Sequence, residues 1–442
     1  MIKPFKQSIL QNTKQNFHEL KERLLFLLGA LIIFRIGSFI PIPGINIDIL
    51  NHIFFQQNNT ILNLFNIFSG GALSRSSIFV LGVMPYISAS IILQILTSIH
   101  PKLIKIKKDG ALGRKKINKY IKYTTLLLAI IQAIGISTGL PHIPGMENLV
   151  LHPGIRFICV SVLTLVTGTM FLTWLGNQIT HRGIGNGISI MIVMGIISSI
   201  PIHIKIMLAH IKHGNLNFYL ISFMCIIILL LIYIIVFIEQ GQRKIIVHYA
   251  KQHYNKYMYS MSNITHLPLK INMAGVMPAI FSASILLFAS TIFFWLGHFP
   301  YLYCFYKIAI SLQPGKPLYI LLYICTVLFF CFFYTLIIFN PKEIADNLKK
   351  TGAYIPGIRP GIQTSKYIFT IMSRLNFSGS LYISFICLVP TIIHNLTHIT
   401  LYFGGTSLLI IVVVMIELII QVQTIMISKQ YDSIMKKINF KR

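Results

Sequence analysis

Residues 218–238 read FYLISFMCIIILLLIYIIVFI, a run of 21 side chains without one charge. An α-helix needs about 20 such residues to cross the hydrocarbon core of a bilayer. Comparable runs recur throughout the chain, giving candidate spans at 24–42, 77–99, 123–140, 154–175, 186–203, 217–238, 273–297, 317–339, 377–398 and 405–427. Only helices or closed barrels satisfy their backbone groups in lipid, and these runs lack a barrel's period-two alternation. A weaker piece, ILNLFNIFSGGALS (Ile61–Ser74), is too short to cross and reads as re-entrant or interfacial. The expectation is an all-α membrane protein with ten transmembrane helices.

Composition points the same way. Of 442 residues, 55% are hydrophobic and only 11% charged, with a mean hydropathy of +0.73. A soluble domain carries about 25% charged residues. The net charge of +28 would suggest nucleic-acid binding on a soluble protein. On a membrane protein, basic loops first report topology. Five of the six cysteines lie inside apolar runs with no CxxC spacing, so neither a disulfide framework nor a metal is implied. The basic N-terminus, MIKPFKQSILQNTKQNFHELKER, lacks a small-residue cleavage site and does not read as a removable signal peptide.

Loop charge sets the orientation. The N-terminal segment, the loops after candidate spans 2, 4, 6 and 8, and the tail hold 31 Lys and Arg, whereas the alternate loops hold six. The bias predicts both ends in the cytosol. The first five spans then begin inside and the second five begin outside. Two inverted halves, 1–203 and 204–442, suggest a pathway at their interface.

The chemistry expected of an enzyme is missing. HRGIGNGIS (His181–Ser189) has neither GxGxxG spacing nor a Walker lysine, and reads as a tight turn opening a helix. The scattered histidines include no HExxH pair. Among ionisable residues only Arg35 and Glu417 fall well inside spans. That weighs against an ion-coupled solute transporter, the chief alternative on topology, and a passive scaffold is a third reading. Two features stand out: the Gly-Gly element FNIFSGGALSR (Phe65–Arg75), and two long basic loops near 239–272 and 340–376. The element reads either as an interfacial helix or as a mobile piece that closes a cavity, with Gly70 and Gly71 as its flexible end. The loops read as topology anchors or as docking surfaces for a large cytosolic partner.

Several long strings then match one family. They include RIGSFIPIPGI (Arg35–Ile45), FNIFSGGALSR, LGVMPYISASIILQIL (Leu81–Leu96) and RGIGNGISI (Arg182–Ile190). Further along stand THLPLKINMAGVMPAIF (Thr265–Phe281), FNPKEIADNLKKTGAYIPGIRPG (Phe339–Gly361) and YFGGTSLLI (Tyr402–Ile410). From about Leu20 to Tyr431 the chain resembles the SecY/Sec61-alpha family of protein-conducting channels. The resemblance implies an hourglass pore narrowed by an apolar ring: Val83, Ile87, Ile188, Ile192, Ile280 and Ile410. Val83 stands where Ile is frequent in the family. An apolar gasket of this kind dewets against ions yet yields to polypeptide. Without the resemblance, each of these side chains reads as lipid-facing or core.

The same resemblance makes Phe65–Ser74 a plug with Phe65, Phe68, Gly70 and Gly71. It places a lateral gate at Ser88, Gln94 and Ser284, polar groups that otherwise read as interhelical hydrogen-bonders. It assigns docking of the SecA motor and the ribosome to Arg243, Lys251 and Arg359. Implied partners are SecE, SecG, SecA, the ribosome, signal sequences, nascent secretory or membrane polypeptides, and the lipid bilayer. No cofactor is implied. The expected location is the bacterial cytoplasmic membrane.

Overall fold

A computed structural model describes residues 3–46, 70–139, 150, 154–212, 218–249, 264–296, 303–312, 315–397 and 404–439. In chain order the elements are α1 (Lys3–Gly37), α2 (Met84–Ile99), α3 (Pro101–Lys108), α4 (Gly110–Gly139), α5 (Ile155–Arg182) and α6 (Gly187–Lys212). There follow α7 (Phe218–Gln240), β1 (Gln242–Tyr249), β2 (Ile264–Lys270), α8 (Met277–Leu296), α9 (Tyr303–Ser311) and α10 (Pro317–Ile338). The chain continues with α11 (Pro341–Lys350), β3 (Ala353–Tyr354), α12 (Ile362–Thr397) and α13 (Gly405–Asn439).

Six helices among the described residues are long and apolar enough to cross a membrane: α4, α5, α7, α10, α12 and α13. A seventh span arises if α2 and α3, bent by 102°, are taken together. The bend has a local cause. Pro101 disfavours helical geometry at the preceding residue, and His100 is extended at φ −84°, ψ 120°. The shorter apolar stretches Gly187–Pro201 and Met277–Leu286 lie in α6 and α8, and α1 carries Lys21, Arg23 and Arg35.

Several helices run beyond their apolar part. α4 begins at Gly110 and α12 at Ile362, so polar residues expected in loops form helical extensions. α6 passes through Pro201, where an outside connection was expected, and continues to Lys212. A helix can absorb a proline when neighbouring groups re-satisfy the freed carbonyl.

The chain divides into two compact units. The first comprises Met1–Phe218, Ser290–Gln313 and Ile410–Arg442, and the second Tyr219–Ala289 and Pro314–Leu409. In the first, α5 packs against α1, α4 and α6, and α2 packs against α4. Ile42, Ile45, Leu73, Val80, Leu81, Ala133 and Leu165 form one of its buried clusters. Hydroxyls within this packing find acceptors: Ser161 donates to Ser137 Oγ at 2.7 Å, joining α5 to α4, and Ser137 donates to the Ala133 carbonyl. At the α5–α6 turn the Thr180 hydroxyl accepts the Gly187 N–H at 2.9 Å, and a Cβ on Gly187 would strike the Gly176 carbonyl.

The second unit holds a feature that an all-α expectation omits. The two long basic loops build one three-stranded sheet of order β2-β1-β3. β1 and β2 are antiparallel, from Gln242 opposite Lys270 to His248 opposite Ile264, and β3 sets Tyr354 opposite His248. One face of the sheet buries Ile245, Val247 and Leu269 with Ala353, Ile355, Ile368, Ile371 and Met372. The hairpin, the second loop and the start of α12 therefore share a core. Asn340 caps α11 by accepting the Lys342 N–H, with Glu343 in its first turn and Lys349 and Lys350 in its last. Between α10 and α12 the buried Thr335 hydroxyl donates to Asn376 Oδ1 at 2.9 Å.

Ile368 is fully buried in the shared core. Ile368→Ala should destabilise the two loops together, by about 2–5 kcal/mol. Limited proteolysis should then cut both the 240–270 hairpin and the 340–360 segment faster. Faster cutting in one loop alone would mean that they do not share their stability.

Candidate functional site

The site is built outward from the non-helical stretch 70–83 that leads into α2. Gly70 and Gly71 are buried and adopt φ of 73° and 80°, a left-handed geometry that side chains disfavour. The Ser198 hydroxyl of α6 donates to the Gly70 carbonyl at 3.1 Å. A Cβ on Gly70 would lie 2.7 Å from Ser198 Oγ and 3.0 Å from the Gly195 backbone. The main chain of the Gly-Gly element is thus seated on α6, against the Ser198 hydroxyl and the Gly195 backbone. The sequence reading took these glycines as a flexible end; their conformation and burial give them a seating role. Phe65 and Phe68 lie outside the described residues.

The stretch is tied down further along. Ser77 N–H donates to the Ala72 carbonyl at 2.9 Å, Ile42 N–H to Ser76 at 2.7 Å, and Ile78 N–H to Ile40 at 3.0 Å. It ends at Val83, the residue before α2, whose carbonyl accepts the Ile87 N–H at 3.1 Å. Val83 and Ile87 therefore stand one turn apart, with only 6% and 7% of their surface exposed. Ile188 and Ile192 repeat the spacing at the start of α6, Ile188 half-buried and Ile192 buried. Ile410, near the start of α13, is fully buried, and Ile280 on α8 in the second unit is 6% exposed. Burial removes the lipid-facing alternative for five of the six. The Gly70 seat and Ile192 share α6, Ile192 standing three positions before Gly195.

Of the gate residues, Ser284 is buried and donates to the Ile280 carbonyl at 2.7 Å. Gln94 donates weakly to Ser90 Oγ at 3.4 Å, and its buried Oε1 has no hydrogen-bond partner among the described residues. Ser88 is half-buried on the same helix. A buried amide oxygen without a donor is unfavourable unless another group reaches it.

The docking residues differ in their support. Arg359 is exposed between Gly357 and Gly361, whose φ values are 78° and 107°. Its own carbonyl accepts the Thr364 hydroxyl at 2.9 Å, and Thr364 is buried. The backbone is held while the guanidinium projects. Arg243 is exposed on β1 opposite Leu269, and Lys251 lies outside the described residues.

Sequence reasoning missed three supports. Gly195 and Ser198 receive the Gly-Gly element, and the small residues of GIISS on α6 were their signal. Thr364 anchors Arg359. At the root of the hairpin, buried Glu239 accepts from Asn272 Nδ2 at 2.6 Å, and Asn272 also bonds both main-chain groups of Gly275. Among the described residues no group of three or more His, Cys, Asp or Glu could hold a metal.

Comparison with known proteins identifies the family. Residues 77–419 match the SecY family model. The protein translocase subunit SecY of Escherichia coli K12 is 55% identical over 431 residues, covering 98% of this chain and 97% of that protein. The protein translocase subunit SecY of Buchnera aphidicola subsp. Baizongia pistaciae is 52% identical over 441 residues and covers 100% of both. Among solved structures, one described as a protein conducting channel aligns with a TM-score of 0.67 at 17% identity over 93% of each chain. Sec61 in the canine ribosome-channel complex aligns with a TM-score of 0.63 at 16% identity, again over 93% of each. At such identities the structural likeness speaks for the fold.

Gly70→Ala forces a side chain into a left-handed residue and against α6, at a cost of about 1–3 kcal/mol. Amide exchange across 72–78 should accelerate at least about fivefold. Ser198→Ala, which removes one hydrogen bond, should give a smaller acceleration. Unchanged exchange in both variants would show that the seat does not hold the stretch.

Proposed function

From the premise that this chain belongs to the SecY family, we infer that it is the central pore-forming subunit of a protein-conducting channel. It translocates unfolded secretory polypeptides across the membrane and releases transmembrane segments sideways into lipid. The observation that carries this is the full-length likeness, at 50–55% identity, to proteins named protein translocase subunit SecY. The solute-transporter reading rested on inverted topology alone and loses to that likeness. The chain is a multi-pass membrane protein of a channel family rather than an enzyme.

The finer architecture is part of the proposal. Ten spans form two inverted halves, 1–203 and 204–442, in the bacterial cytoplasmic membrane with both ends in the cytosol. The loop-charge bias and the helices at every candidate span support it. Val83, Ile87, Ile188, Ile192, Ile280 and Ile410 form the apolar ring, a role their burial suits. The element 65–74 is the plug, and its described end at Gly70 rests on the helix that carries Ile192. Ser88, Gln94 and Ser284 line the lateral gate, where a buried amide oxygen lacking a donor favours a seam that exchanges partners.

The sheet of the two basic loops is the docking platform for SecA and the ribosome. Arg359 is its leading contact, since a guanidinium pairs bidentately with carboxylates or phosphates and its backbone is already fixed. Arg243 and Lys251 contribute further positive charge to the two loops. SecE clamps the bundle and SecG joins it. Movement is driven from outside the chain, by a motor, by translation or by the proton-motive force.

Reconstituted with SecE and supplied with SecA and ATP, the chain should move an unfolded secretory precursor into vesicles. No movement beside an active control complex would remove the channel reading. Ile87→Asn or Ile410→Asn should wet the ring, raising resting ion conductance and relaxing signal-sequence selectivity. If both stay at the parent level, those side chains are not in the ring. Arg359→Glu should cut SecA-driven export by roughly tenfold or more in a folded protein. Export at the parent rate would exclude Arg359 from docking.

A further inference from the structure

Two guanidiniums share one aromatic ring where α1 ends. The Arg35 guanidinium carbon lies 4.8 Å from the centre of the Phe39 ring, and that of Arg75 lies 4.1 Å from it. Like charges so placed repel, and an aromatic face offsets only part of that. No ion pair joins either arginine to a carboxylate among the described residues, where His18–Glu22 and Arg23–Glu19 are paired instead. The Nη1 atom of each is buried without a hydrogen-bond partner among the described residues. Burial first, and the Arg35 charge second, push the Arg75 guanidinium below the ordinary arginine value. Among the described residues the pair lacks an anion.

Beside it runs an apolar stripe. Leu25, Leu28, Ile32 and Ile36 recur at helical spacing along α1 and are 56%, 54%, 60% and 58% exposed, and the stripe ends at Phe39, 54% exposed. A cationic pair capping an exposed apolar strip has the form of a receptor for an amphiphile. A free anion would match only its polar end. Arginine at a span's end reaches headgroup level, and its planar fork fits phosphate oxygens bidentately. We propose that Arg35 and Arg75 together bind the phosphate of an anionic phospholipid whose acyl chains lie along α1. The proposal rests on α1 crossing the bilayer, as inferred above.

The test uses the protein with its partner subunits in mild detergent, titrated with phosphatidylglycerol and followed by native mass spectrometry. Inorganic phosphate forms a parallel arm. Arg35→Gln/Arg75→Gln should weaken the tightest phosphatidylglycerol event at least about tenfold, and Arg35→Lys/Arg75→Lys should weaken it less. A hundredfold excess of inorganic phosphate should not displace the lipid. Equal phosphatidylglycerol binding by the parent and the glutamine variant overturns the proposal, as does ready displacement by inorganic phosphate. A tenfold gain in lipid affinity on Asp48→Asn also overturns it, because a carboxylate of the chain would then be the resident anion. Should the glutamine variant fail to fold, photoreactive phosphatidylglycerol in vesicles with the parent protein decides. Labelling within 32–42 supports the site, and labelling confined elsewhere sinks it. Precursor transport is measured on the same vesicles. Active transport without labelling at 32–42 rejects the lipid site and leaves the channel reading standing.

Discussion

A backbone amide in hydrocarbon must find its acceptor inside the protein, and most of this chain's construction answers that demand. The long apolar helices close their ladders internally. Hydroxyls on them fold back onto their own turns, as Thr125 does to the Ile121 carbonyl at 2.7 Å and Ser284 to that of Ile280. The exception among the described residues is the non-helical stretch 70–83. It is tolerable because Ala72, Leu73, Ser76 and Ser77 are almost wholly covered by protein, and because the amides of Ser76, Ser77, Val80 and Gly82 bond within the stretch while that of Ile78 bonds to the Ile40 carbonyl. The candidate ring residues Val83 and Ile87 follow directly from this stretch, so their position inherits its order.

On the water side the constraint is reversed, since loops rich in lysine and arginine gain nothing from burial. The chain gives them structure through a shared apolar core instead. Ile245 and Val247 from one loop, Ala353 and Ile355 from the other, and Ile368 from α12 pack together. Charge is thereby presented from a frame with fixed geometry. Arg359 illustrates the result: two glycines set its turn, buried Thr364 holds its carbonyl, and its side chain stays in water.

What the sequence disclosed follows the same physics. Apolar runs as long as Phe218–Ile238 carry a strong signal, and a helix stands at each of the ten candidate spans. By length and composition, however, six to seven of those helices qualify to cross among the described residues. The basic segment before span 3 continues its helix because lysine and arginine are good helix formers. The sheet escaped because QRKIIVHY and ITHLPLK are short, and their pairing partners lie some twenty residues apart or in another loop. The contact between Gly70 and Ser198 joins residues 128 apart in sequence, which no local pattern can reveal. Ring, plug and gate roles came from family resemblance; what geometry adds is burial, spacing and a seat for Gly70.

That seat has a kinetic consequence. Gly70 offers α6 only its main chain, with one neutral hydrogen bond from the Ser198 hydroxyl worth about 1 kcal/mol and no side-chain knob of its own in a hole. Withdrawing it leaves no cavity shaped to a particular rotamer, and returning it requires no search among rotamers. Such a joint can be disengaged and remade many times at low cost in each direction. A bulkier joint would be stronger and slower. In the plug role proposed for this element, which requires it to yield and reseal in turn, weakness of this kind would be a rate advantage.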